Sequence, residues 1–135
     1  MFCFCAQSRR LARALTARYD AALAPAGLTA TQFETLAMLQ GMGPSAGRAL
    51  AEGLALDKTT LSRNVRPLID AGLLAARPNE DDARQTIYAI TAAGARRLAK
   101  AMPLWQVAHD ESLAMLGDTA SSSRKALQRM VQALH

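Results

Sequence analysis

The stretch between residues 47 and 72 constrains this chain most, because its helical signals occur in a fixed order. Residues 47–53 form a short helical segment with Ala49 and Leu50 turned inward, and Leu54-Ala55-Leu56 makes a tight connection. Asp57 then stands where an N-cap belongs, its carboxylate placed to accept the free N–H groups of a first turn. The longer helix that follows carries Leu61, Val65, Leu68 and Ile69 at spacings i, i+4, i+7 and i+8, and Gly72 closes it. Short helix, turn and longer helix make a helix-turn-helix pattern. Pro67 removes the N–H that would bond the Arg63 carbonyl, so a bend or an opened turn is expected there.

The other face of the longer helix is the informative one. Lys58, Thr59, Ser62, Arg63 and Arg66 lie away from the apolar stripe, with Thr60 at its N-terminal edge. Donors and positive charge thus gather where such a helix would meet base edges and phosphates. The plainer reading is an ordinary solvated face. Net charge favours the first: Lys plus Arg number 16 against 11 acids, and 13 of the 16 are Arg, whose planar fork suits phosphate.

Residues 73–77 and 85–90 read as two strands, the second rich in β-branched and aromatic side chains at Thr86, Ile87, Tyr88 and Ile90. The polar segment 78–84 joins them, and a hairpin directly after this helix is a wing. Upstream, Leu11, Leu15, Tyr19 and Leu23 mark one face of a first helix over 9–23, ended by Pro25 and Gly27. A second helix starts from Thr29 or Thr31 and breaks at Gly41. Downstream, Thr91 caps a long helix through Leu98, Met102, Trp105 and Leu113, expected to break or kink near Pro103, and a last helix carries Leu127, Met130, Val131 and Leu134.

The fold class that follows is mainly α with a small β-hairpin, a winged helix-turn-helix lobe over 29–100 flanked by helices at 1–28 and 101–135. At 135 residues this is one domain. The central unit is expected to have its own small core, which leaves the apolar stripes of the terminal helices to be covered by a second copy. A homodimer would also set two DNA-reading helices at a fixed spacing. No apolar run reaches the roughly 18 residues of a membrane span, so a cytoplasmic protein with no membrane partner is expected. A Gly-rich phosphate loop, a metalloprotease helix and a nucleophile elbow are all missing, and with only two His the chain does not read as an enzyme or as the carrier of a cofactor.

Taken in order, these segments resemble the MarR (multiple antibiotic resistance regulator) family of winged helix-turn-helix transcription factors. The resemblance rests on residues 57–74, which open Asp57-Lys58-Thr59-Thr60-Leu61-Ser62 and close Gly72-Leu73-Leu74. It also rests on Asp82-Ala83-Arg84, on Ile90-Thr91 with Gly94, and on Gly27-Leu28-Thr29 with Gln32-Phe33. The resemblance implies a dimer on a pseudo-palindromic operator in double-stranded DNA, acting as a repressor until an effector shifts the two reading lobes. It carries over the wing as Asp82 and Arg84, with Arg84 in the minor groove and Asp82 orienting the wing. A guanidinium suits that narrow, electronegative groove, whereas Glu80, Asp81 and Asp82 would repel phosphate unless one of them pairs with an arginine. Lys58, Thr59, Thr60, Ser62, Arg63 and Arg66 are the DNA-binding candidates, Arg63 for bases and Arg66 for phosphate. The competing reading is an architectural or protein-binding winged helix without sequence preference.

The effector is open at this level. Cys3 and Cys5, one residue apart, fit a thiol-oxidant sensor, a soft-metal clip or apolar filler in an interface. Two cysteines make too few ligands for a closed zinc site without His or carboxylate help, and His109 is a possible helper. A small organic acid or phenol is the remaining class; Arg18, Met38, Met102 and Trp105 are residue types that suit such a pocket, and none is assigned to one.

Overall fold

The computed structural model describes residues 2–135. Six helices and three short strands follow in order: α1 (Phe4–Leu23), α2 (Ala30–Met42), β1 (Ser45–Ala46), α3 (Gly47–Leu54), α4 (Lys58–Asp70), β2 (Leu74–Pro78), β3 (Thr86–Ile90), α5 (Ala92–Leu116) and α6 (Ala120–Leu134). The first helix begins at Phe4, ahead of the apolar periodicity that announced it. It ends in a single 3-10 turn at Ala24–Ala26, after which Gly27 takes the left-handed conformation (φ 70°) that turns the chain toward α2.

Capping chemistry sets the helix starts. Thr29 and Gln32 form a reciprocal capping box on α2: Thr29 Oγ1 accepts from Gln32 N at 3.2 Å and Gln32 Oε1 from Thr29 N at 3.0 Å. A third acceptor comes from α1, where Asp20 Oδ1 takes the N–H of Ala30 at 2.7 Å. The connection between α3 and α4 turns on Ala55, also left-handed at φ 53°.

Both interior prolines are accommodated without interrupting a helix. Pro67 and Pro103 lie within α4 and α5, each of which runs as one uninterrupted helix. Pro67 and Arg63 are both exposed, as are Pro103 and Ala99, so each freed carbonyl belongs to a residue that water reaches. The break expected at Pro103 is therefore absent, and α4 likewise continues through Pro67.

The hairpin is accompanied by a strand that the sequence did not announce. β1 joins it to give an antiparallel sheet in the order β1-β3-β2, with Ser45 opposite Tyr88 and Leu74 opposite Ile90. Gly94 lets α5 begin against this sheet: a side chain there would collide with the Leu73 carbonyl and reach within 2.8 Å of Ile90 Cγ1.

One core runs through the molecule. Leu36, Leu39, Leu50, Val65 and Leu68 continue into Leu23, Leu98 and Ala101 without a break. The winged unit therefore does not close on a core of its own; α1 and α5 supply part of it. Burying each of these leucines contributes roughly 1.5 to 3 kcal/mol. Beyond that core the ends stay open. α6 buries no residue, and Phe4, Leu11, Met115, Leu127, Val131 and Leu134 are exposed.

Candidate nucleic-acid interface

The candidate interface is built on the start of α4. Asp57 Oδ1 accepts the N–H of Thr60 at 2.7 Å and Oδ2 its hydroxyl at 2.9 Å. These bonds, the backbone one foremost, hold the Asp57 carboxyl below its ordinary range, helped by the nearby charge of Arg63. The cap thus fixes the first turn and engages the hydroxyl proton of Thr60.

Lys58, Thr59, Thr60, Ser62, Arg63 and Arg66 are all exposed, opposite the buried Leu61, Val65 and Leu68. Arg66 Nε lies 3.6 Å from Asp70 Oδ1, an exposed pair one turn apart. Arg63 forms no ion pair among the described residues, so its guanidinium is available to an external acceptor.

On the wing, Asp82 Oδ1 accepts from both the backbone N–H (3.1 Å) and Nε (3.3 Å) of Arg84. One of the three wing acids is therefore paired with an arginine. The loop is stiffened further by Asn79, whose Oδ1 accepts from Asp81 N at 3.1 Å and whose Nδ2 donates to Gln85 Oε1 at 3.1 Å.

Helix and wing meet in one cleft of about 460 Å³, where Lys58 and Ser62 of α4 face Arg84 and Thr86 of the wing, with Arg48 of α3 and Tyr88 of β3 beside them. Arg48 and Tyr88 were not singled out from the sequence. Arg48, a cation on the first helix of the pair, was available as a signal; Tyr88 read only as a strand residue.

The effector candidates are dispersed. Cys3 caps α1 through its backbone and Cys5 lies in the first turn; both thiols are free and exposed, and Arg9 Nη1 donates to Cys5 Sγ at 3.3 Å. His109 is occupied elsewhere, stacked 4.6 Å from Trp105 and with Nδ1 3.1 Å from the hydroxyl of Tyr19. Burial pushes the Tyr19 hydroxyl above its usual pKa. Trp105 also stacks on Tyr19 and Phe33, which makes it a packing residue. Met102 lines one cleft with Gln40 and Gln106, and Arg18 another with Val107 and Glu111. Among the described residues, no three His, Cys, Asp or Glu gather to hold a metal.

The sequence profile of the MarR family matches residues 26–85. The M. tuberculosis transcriptional regulator MosR, crystallised in complex with DNA, is 38% identical over 98% of this chain and 96% of its own, with a TM-score of 0.87. The chain belongs to the MarR family. A second crystal structure of MosR gives 35% identity, coverage of 98% and 95%, and a TM-score of 0.86. Wild-type MarR from E. coli, in its apo form, shares the fold at 21% identity, with coverage of 97% and 98% and a TM-score of 0.77. No curated protein matches the chain by sequence. This MarR-family chain is thus a winged-helix transcriptional regulator, and no helix among its described residues is long and apolar enough to cross a membrane.

Proposed function

We propose that this regulator binds a pseudo-palindromic operator as a homodimer and represses transcription until an effector releases it. The observation that carries the reading is the exposed Arg63, without an ion pair among the described residues, on a helix α4 that shares a cleft with a wing whose Arg84 is held by Asp82. In this reading Arg63 reads bases, Lys58, Thr59, Thr60 and Ser62 complete the contacts of the first turns, Arg66 binds phosphate and Arg84 enters the minor groove. Dimerisation is supported by the exposed apolar residues of α1, α5 and α6, since a helix such as α6 that buries nothing on its own chain needs a second surface.

Cys3 and Cys5 are the proposed effector-sensing residues, through oxidation of the two thiols or capture of a soft metal. Their exposure and the cationic Arg9 beside Cys5 support this role. Repeating operator binding with peroxide or arsenite, on the wild type and on Cys3→Ser, tests it: release of the wild type alone supports the thiols, and equal release of both removes them.

Selection of bound duplexes from a random pool at about 0.15 M salt tests the main reading, because non-specific contacts are weakened there. The expected product is an inverted repeat with half-sites roughly one helical turn apart. A pool that enriches no motif would instead indicate a module that binds without sequence preference.

A further inference from the structure

One polar contact in the reading lobe is absorbed neither by the core nor by the DNA-facing surface. Thr35, on α2, is fully buried, and its hydroxyl donates to the Thr31 carbonyl at 2.7 Å. The same oxygen accepts from Asn64 Nδ2, on α4, at 2.6 Å. Because the only hydroxyl proton goes to Thr31, the oxygen acts toward Asn64 purely as an acceptor, which settles which end of the Asn64 amide faces it.

We propose that Thr35 and Asn64 are positioning residues that set the rotation of α4 about its axis, and thereby the aim of Arg63 and Arg66. This rests on the reading of α4 as the helix that enters the groove. The apolar contacts of Leu61, Val65 and Leu68 hold α4 against the core, but they are non-directional and tolerate a small roll. A hydrogen bond to a buried hydroxyl is directional and does not. Asn64 directly follows Arg63, so fixing the direction of one fixes the other about 100° round the helix. A roll of about 10° moves a group some 6 Å from the axis by about 1 Å, enough to spoil a two-point contact with a base.

The anchor for this bond is itself tied down. The turn of α2 that carries Thr31 begins at Ala30, whose N–H is held by Asp20 of α1. The aim of α4 is therefore referred through α2 to α1, which bears the exposed thiols at its far end.

The test compares affinity for the operator selected by the wild type with affinity for a random duplex of equal length, in the full chain and alongside thermal unfolding. Thr35→Val keeps the shape of the side chain and removes the acceptor; Thr35→Ser keeps the hydroxyl. Thr35→Val is expected to lose about tenfold on the operator. Binding of random duplex stays within about twofold, since phosphate contacts tolerate the roll. Thr35→Ser restores the wild-type ratio, and Asn64→Ala, at the half-buried end of the bond, reproduces the effect should Thr35→Val fail to fold. An unchanged operator-to-random ratio in both Thr35→Val and Asn64→Ala overturns the proposal alone, as does a Thr35→Ser that behaves like Thr35→Val. A wild type that enriches no sequence overturns the reading of α4 and the proposal with it.

Discussion

Thr91 Oγ1 donates to the carbonyl of Gly72 at 2.7 Å and so ties the turn that follows α4 to the start of the long helix. The same oxygen accepts from Gly94 N at 3.0 Å as the N-cap of α5. Thr91→Ala removes both bonds, and we expect it to cost about 1 to 2 kcal/mol of stability. Urea unfolding of the variant checks this through the midpoint, with the slope unchanged.

The cap on α4 responds to pH. The Asp57 carboxyl is held below the ordinary carboxylate range, so its contribution is present above that range and is lost as pH falls through the lower folded pKa. Asp57→Ala is expected to melt below the wild type at neutral pH, and the gap to close under acid. The gap for Thr91→Ala, which involves no titrating group, should stay constant over the same range.

Arg66 and Asp70 are paired at the surface, where an ion pair contributes little to stability. Arg66→Ala is therefore expected to leave the melting temperature nearly unchanged while weakening operator and random duplex alike. The slope of log affinity against log salt should fall by about one, which a salt titration reads directly.

Asp82 acts on DNA only through Arg84 in this account. Arg84→Ala and Asp82→Ala should each lose roughly 1 kcal/mol of operator affinity, about fivefold, and the double variant no more than Arg84→Ala alone. A double-mutant cycle measures the coupling. Additive losses would show that the two residues act independently.

What the sequence made legible was local. Thr29, Asp57 and Thr91 announce helices because a cap is satisfied within three residues, and Gly27 and Gly72 mark ends because only a left-handed residue turns the chain there. The exposed face of α4 was legible for the same reason, as periodicity alone separates it from the Leu61, Val65 and Leu68 stripe. β1 was not, since a two-residue strand exists only through its pairing with Tyr88 and Ile87, some forty positions away. Thr35 with Asn64 was hidden likewise: each is an ordinary polar residue until α2 and α4 are brought together. The stripe of Leu11, Leu15, Tyr19 and Leu23 divides in the fold, with Leu23 sealed in the core and Leu11 left exposed. Periodicity names a face without naming what covers it.

The central claim is that Arg63 on α4 reads sequence, and the most direct measurement compares Arg63→Ala with the wild type on the selected operator and on random duplex at about 0.15 M salt. The account predicts a loss of roughly 1 to 3 kcal/mol on the operator, relaxed preference at one position of each half-site, and little change on random duplex. Equal losses on both duplexes would contradict it.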